Sequence, residues 1–209
     1  MKLVLATHNA HKVDELRRIL GDALDGIELI GYDGPEPVED GDSFEANALI
    51  KARAASAFTG LPAIADDSGI SVDALGGAPG IHSARYAGGR DDAANLELLL
   101  SNLGANTNRA AHFTCAAALV VPPPVGAVGP DGPPSAAEAG EFVELGIWPG
   151  TVLLEQIGPN GFGYDPIFKP SGMSVSAAEL RAEEKNAVSH RALAFAAIMP
   201  TVRAQLLGE

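Results

Sequence analysis

Residues 2–20 read KLVLATHNAHKVDELRRIL and place a strand, a polar turn and a helix in close succession. Residues 2–6 are a short apolar run suited to a buried strand. Thr7-His8-Asn9-Ala10-His11-Lys12 then brings polar and charged groups together. Val13, Leu16, Ile19 and Leu20 recur at helical spacing, and Gly21 offers a stop. A strand that runs through a tight polar loop into an amphipathic helix is the usual opening of an α/β sheet protein.

Further along, residues 27–32 are a second strand candidate, and residues 34–41 form a loop rich in proline, glycine and acid. Asp42-Ser43-Phe44-Glu45 resembles a helix start, with an acid as cap and a glutamate three residues on. That helix is predicted to run to about residue 59, where Gly60 and Pro62 end it. Residues 62–66 are predicted as a short strand that stops at Asp66-Asp67-Ser68-Gly69, and residues 70–75 as a short extended piece. A glycine-rich loop spans residues 76–90. Asp91 is placed to cap a helix with Leu96, Leu99, Leu100 and Leu103 on its apolar side. Phe113, Cys115, Ala117, Leu119 and Val121 alternate along one strand face. Residues 122–139 are Pro/Gly/Ala-rich and predict a mobile hairpin insert. Residues 141–147 supply its return strand and residues 151–156 another. Ser176 with Glu179 repeats the capping pattern, and Ser189 starts a last helix that Pro200 is expected to kink or break. The whole predicts an α/β protein of one domain, with a twisted mixed central sheet flanked by helices.

The chain has 209 residues, of which 46% are hydrophobic and 5% aromatic, so its core rests on Ala, Leu, Val and Ile. A single cysteine excludes a disulfide framework and a Cys-rich zinc site. Cys115 lies in an apolar run, where a buried inert thiol is expected. No signal peptide is read at the start, and no apolar run approaches the roughly 20 residues that span a bilayer. A cytoplasmic protein with no membrane partner is therefore expected. The net charge of -13 repels nucleic acid, so no nucleic-acid partner is expected either. An anionic ligand must instead meet a local cationic patch or a metal ion, which makes the five lysines (Lys2, Lys12, Lys51, Lys169 and Lys185) informative.

Five segments carry groups suited to chemistry. Thr7 to Lys12 combines hydroxyl, amide and ammonium groups at a helix start, which suits phosphate; it also suits an ordinary polar loop with Asn9 as cap. Asp66-Asp67, followed by Ser68-Gly69, offers a carboxylate for Mg²⁺ or for a water, or a plain Asp-Ser-Gly turn. Glu39 and Lys51 offer a metal ligand and a phosphate contact, or two solvated charges. Gly161-Phe162-Gly163-Tyr164-Asp165-Pro166 lets a backbone approach a flat ligand, with Phe162 to stack on it and Asp165 to accept ring N–H groups. The same segment also reads as a turn with core aromatics. Lys185 with Ser189-His190-Arg191 could bind a purine carbonyl and phosphates, or form a charged helix junction. His8, His11, His82 and His112 show no metal-ligand spacing.

In this order the segments resemble the inosine triphosphate pyrophosphatase family, which removes deaminated purine nucleotides. The resemblance is carried by Leu5-Ala6-Thr7-His8-Asn9 with Lys12, Phe44-Glu45-Ala46-Asn47-Ala48 with Lys51, and Ala65-Asp66-Asp67-Ser68-Gly69. Gly76 to Tyr86, Gly161 to Pro166, and Glu184-Lys185 with Ser189-His190-Arg191 complete it. It implies two lobes with the active-site cleft between them, a homodimer, and Mg²⁺-dependent hydrolysis of ITP, dITP or XTP to the monophosphate and pyrophosphate. By the same resemblance Asp67 is the general base and a metal ligand, Glu39 a second metal ligand, and Lys51 a catalytic cation. Thr7, His8, Asn9, Ala10, His11, Lys12 and Ser68 would hold the triphosphate. Phe162, Gly163, Tyr164, Asp165, Lys185, His190 and Arg191 would hold the base and sugar. Related alternatives are a pyrophosphatase of different base preference and a nucleotide-binding module without catalysis. The chain departs from the family pattern at His11, where glycine often precedes the lysine, and in the length of the 122–139 insert.

Overall fold

The computed structural model describes residues 1–8, 10–123 and 140–209, and of residues 10–12 the backbone alone. Asn9, the side chains of Ala10, His11 and Lys12, and residues 124–139 of the expected mobile insert lie outside the described residues.

Among the described residues six strands form one mixed sheet: β1 (Lys2–Leu5), β2 (Glu28–Gly31), β3 (Ala63–Val72), β4 (Ala110–Val121), β5 (Gly140–Val152) and β6 (Phe168–Pro170). Their order is β2-β1-β3-β4-β5-β6. β1 runs parallel to β2 and to β3, and β6 runs antiparallel to β5. Five α-helices accompany them among the described residues: α1 (Ala10–Leu20), α2 (Phe44–Thr59), α3 (Asp92–Leu103), α4 (Ala182–Val188) and α5 (His190–Leu207). The expected α/β class and mixed sheet are therefore present.

The chain divides into two compact units. The first comprises Met1–Asp67, Ala116–Leu145 and Ala194–Glu209, and the second Ser68–Cys115 and Gly146–Leu193. In the first unit the helix-to-sheet contact is built from alanines. Ala48 and Ala52 of α2 pack with Ala65 of β3 and with Ala116 and Ala118 of β4. Small side chains let a helix lie close to a sheet, which brings the polar groups on its flank near the strand ends. Ser43 caps α2, its side chain accepting from the Ala46 N–H, and Gly60 ends the helix in the left-handed region at φ 68°. The cap is thus Ser43 and not the expected Asp42.

In the second unit Leu96, Leu99 and Leu103 of α3 join Phe113, Trp148 and Phe168 in an aromatic-rich core. Asp91 caps α3 as expected, accepting from the N–H groups of Ala93 and Ala94.

Several local expectations change. Asp66-Asp67-Ser68-Gly69 is no turn but the middle of the ten-residue strand β3. Gly69 permits this, because a Cβ there would strike the Ser83 hydroxyl group and the Gly80 carbonyl. The Ser83 Oγ instead accepts from the Ile70 N–H at 2.9 Å. β5 is one strand where two were expected, and β6 went unread. β4 does not alternate in burial as expected: residues on both its faces are buried from Phe113 to Val120. Ser176 starts no helix: its N–H donates to Glu179 and its hydroxyl donates to the Ile157 carbonyl. α5 continues through Pro200 to Leu207. Buried Phe195, Ile198, Met199 and Val202 outweigh the one backbone hydrogen bond that proline forgoes.

Candidate active site

In the first unit β3 delivers Asp67 and α2 delivers Lys51. Lys51 donates from Nζ to Asp67 Oδ1 at 2.8 Å and to Glu39 Oε2 at 3.4 Å. Three residues from separate segments are thus brought together as expected. The loop that carries Glu39 is tied to α2 by Asn47, a buried side chain whose Oδ1 accepts from the Gly41 N–H at 2.9 Å. A Cβ at Gly41 would sit 2.7 Å from that same oxygen, so the close approach requires glycine.

Asp66, the strand neighbour of Asp67, is also buried and adds to the electrostatics. Burial works against the Lys51 ammonium, yet Asp67, Asp66 and Glu39 outweigh it and hold its pKa above the ordinary lysine value. Burial pushes the Asp67 carboxyl above the ordinary aspartate value; Lys51 pulls it down, and Glu39 and Asp66 push it up again. Both directions share one source: one ammonium lies within the field of three carboxylates, two of them in contact with it, in a partly dry site. Such a surplus of hard anionic oxygens is what a divalent cation neutralises. Among the described residues no group of three or more His, Cys, Asp or Glu is poised to hold a metal ion. Mg²⁺ is commonly held by one or two carboxylates with the rest supplied by water and substrate phosphate, so Glu39 and Asp67 fit it.

The β1–α1 loop lies in the same unit. Ala6 N–H bonds to Ile64 O of β3 at 2.8 Å, which registers the loop on the strand that carries Asp67. Thr7 is half-buried. His8 is exposed, and both its ring nitrogens already have acceptors: Nε2 meets the Gly34 carbonyl at 2.7 Å and Nδ1 meets Glu36 Oε1 at 3.1 Å. The Gly34 carbonyl first, and Glu36 next, hold the ring above the ordinary histidine pKa.

The second unit assembles the Phe162 loop. Gly161, at φ +78°, leaves room for the Asp165 carboxylate. Asp165 Oδ2 accepts from the Phe162 N–H at 2.9 Å and also pairs with Lys185 Nζ. Phe162 itself is 53% exposed, an unusual setting for a phenylalanine. Lys185 Nζ stands 4.6 Å from its ring centroid and Arg191 Cζ 5.9 Å, so two cations border the ring. Gly163 N–H is held by Asp92 of α3 at 2.9 Å. Tyr164 is buried, and its hydroxyl donates to the Ser83 carbonyl at 2.8 Å. Burial first, then Tyr86 and Asp92, push that hydroxyl's pKa well above the ordinary tyrosine value. Tyr164 thus anchors the loop from below. His190 is buried, stacked on Phe113 with centroids 4.7 Å apart and tilted 11°. Ser68 follows Asp67 on β3 and is half-buried.

From sequence, Asn47 and Ser83 stand in the segments that carry the family resemblance, but neither they nor Asp92 had an assigned role. Asn47 and Asp92 hold the N–H groups of Gly41 and Gly163, and the Ser83 carbonyl accepts from the Tyr164 hydroxyl; the last two partners lie 71 and 81 residues away, and nothing local marks such roles. A glycine beside a functional residue was the only available hint, as at Gly41 and Gly163.

A model of the Ham1 family matches residues 3–201. A protein named dITP/XTP pyrophosphatase from Leifsonia xyli subsp. xyli is 56% identical over 207 residues, which is 98% of this chain and 96% of that one. A protein of the same name from Streptomyces coelicolor is 50% identical over 214 residues, 99% of each chain. The crystal structure of a nucleoside-triphosphatase / dITP/XTP pyrophosphatase from Mycobacterium abscessus is 46% identical, covers 96% of this chain and 100% of its own, and superposes with a TM-score of 0.74. A HAM1 protein from Coxiella burnetii is 37% identical over 97% of this chain and 98% of its own, with a TM-score of 0.83. Matches of this identity along nearly the whole length leave one conclusion: the chain belongs to the Ham1 family.

Proposed function

We propose that this chain is a nucleoside triphosphate pyrophosphatase that hydrolyses deaminated purine nucleotides, namely ITP, dITP and XTP, to the monophosphate and pyrophosphate. The observation that carries this is the Glu39–Lys51–Asp67 cluster, where Lys51 spans both carboxylates and Asp67 has a raised pKa. The names of the relatives at 56% and 50% identity support the same activity.

Asp67 acts as general base. It takes a proton from water as the water oxygen bonds to the α-phosphorus, the bond from that phosphorus to the α–β bridging oxygen breaks, and pyrophosphate leaves. A raised pKa makes Asp67 a better proton acceptor than an ordinary aspartate. Lys51 offsets the charge of the phosphates and steadies Asp67 between turnovers. Thr7, Asn9, Ala10, His11, Lys12 and Ser68 hold the phosphate chain. Mg²⁺, held by Glu39 and Asp67, would draw electron density from the phosphoryl oxygens and lower the cost of the developing charge.

Phe162 stacks on the purine, and Lys185 and Arg191 stand beside it where a 6-oxo group accepts hydrogen bonds. Adenine presents an amino group there and would leave those donors unpaired, at about 1–3 kcal/mol each. Asp165, Gly163, Tyr164 and His190 shape this platform. We further propose a cytoplasmic homodimer that acts on free nucleotides and not on nucleic acid, in keeping with the net charge of -13. Among the described residues no helix is long and apolar enough to cross a membrane.

The test is a steady-state panel of ITP, dITP, XTP, GTP and ATP, with pyrophosphate detection, run with Mg²⁺ and with EDTA. Faster turnover of the deaminated purines than of GTP and ATP, lost in EDTA, is expected. Equal rates on all five would overturn the base assignment, and full activity in EDTA the metal assignment.

A further inference from the structure

We infer that His8 is a positioning residue and not a substrate contact: with Tyr32 it fastens residues 34–36 and so fixes the near end of the segment that carries Glu39. Three consecutive residues are each held by one of these side chains. His8 Nε2 donates to the Gly34 carbonyl at 2.7 Å, Tyr32 Oη donates to the Pro35 carbonyl at 2.9 Å, and His8 Nδ1 meets Glu36 Oε1 at 3.1 Å. With a partner at each nitrogen, the ring is fixed in orientation from both sides. The two rings also pack together, with centroids 5.4 Å apart. Gly34 is fitted to this arrangement, since a Cβ there would collide with the Tyr32 ring and hydroxyl.

The far end of the segment is fastened separately, where Asn47 accepts from Gly41. Glu39 therefore sits in a short span pinned at both ends, and its carboxylate reaches Lys51 without being on a helix or strand. A loop held at one end alone would let that carboxylate wander, and a misplacement of about 1 Å near reacting groups can cost about a hundredfold in rate. His8 belongs to the loop that follows β1 and Glu36 to the segment before Glu39, so their bond sets the spacing of the two. The role in turnover rests on the proposed function; the fastening itself does not.

The experiment compares His8→Ala, Glu36→Gln, the double variant and His8→Arg. Amide hydrogen exchange of residues 34–41 in the free protein is expected to quicken about tenfold in Glu36→Gln, which weakens one charge-assisted hydrogen bond, and by at least as much in His8→Ala, which removes both bonds of the ring. The double variant should be no faster than the quicker single one. His8→Arg, which keeps donors for both Gly34 and Glu36, should restore the slow exchange. In ITP hydrolysis both single variants should lower kcat and raise the Mg²⁺ concentration for half-maximal rate, with non-additive effects, while the KM for ITP at saturating Mg²⁺ changes little. Unaltered exchange in His8→Ala would overturn the fastening. A raised KM for ITP in His8→Ala that adds independently to the effect of Glu36→Gln would make His8 a substrate contact. A wild-type protein that leaves ITP intact while exchange responds as described would overturn the proposed function and leave the fastening standing.

Discussion

Lys51 and Asp67 meet at 2.8 Å with only 15% and 14% of their side chains exposed. The pair is neither a surface ion pair, which is worth little, nor a sealed core pair. Enough solvent reaches it for a water to take the lysine's place beside Asp67 and for a phosphate to take the carboxylate's place beside Lys51. A lysine that must be displaced for its carboxylate to work keeps an otherwise repulsive cluster of acids stable until substrate arrives. Four consequences can be measured.

Asp67→Asn removes the proton acceptor and preserves the shape. Turnover of ITP should fall by about a hundredfold to ten-thousandfold, the usual worth of a general base. Binding of ITP, followed by calorimetry, should change by less than tenfold. A variant that keeps most of its rate would show that another group takes the proton.

The pH profile follows from the raised Asp67 pKa. A carboxylate whose folded pKa exceeds its unfolded value binds its proton more tightly in the native state. Its contribution to stability is complete at low pH and is lost as pH rises through the folded pKa. Activity runs the other way, because the base form appears only above that pKa. The acid limb of kcat/KM should therefore lie above the ordinary aspartate value of 3.8. Since Lys51 pulls this pKa down, Lys51→Met should move the limb to still higher pH, and an unmoved or lowered limb would contradict the assignment.

At the other end, Phe162→Ala should weaken ITP by about 1–3 kcal/mol, the worth of one base stacked on an aromatic ring. Inhibition by inorganic tripolyphosphate, which lacks a base, should be unaffected. Lys185→Ala has a different signature. It strands the Asp165 carboxylate, which is 3% exposed, and should cost about 3–5 kcal/mol in urea unfolding.

Gly41→Ala tests whether the Glu39 loop must lie so close to α2. The new methyl would sit 2.7 Å from Asn47 Oδ1 and 2.8 Å from the Ala46 Cβ. Something must shift, and the loop is the softer partner. Mg²⁺-dependent activity should drop by about tenfold or more while the melting temperature falls by only a few degrees. Ser43→Ala is the control: it should cost about 1 kcal/mol of stability through the lost cap and leave kcat nearly unchanged.

Much of the architecture could be read from residue order. The strand, turn and helix of residues 2–20 appear as β1 and α1, and Asp91 caps α3 as its chemistry demands. Periodicity and caps are local properties, written within a few residues. Where burial overruled local chemistry, the sequence misled. Asp66-Asp67-Ser68-Gly69 has turn composition, yet it runs through the sheet because Ser83 takes the place of a Gly69 side chain. Pro200 has the composition of a helix stop, yet buried neighbours carry α5 past it.

By itself, the sequence determined which residue types are available to the chemistry: the acids, the few lysines and the glycine-flanked Phe162. Tertiary structure alone decided what each of them does. Glu39 and Asp67 became one cluster because an alanine face lets α2 approach the sheet, and Asp165 turned inward to hold Phe162 and Lys185. His8, in a loop that reads as phosphate-binding, spends both nitrogens on Gly34 and Glu36. Hydrogen bonds and ion pairs act over a few ångströms, and distance in space is set by packing, which residue order encodes only through the fold.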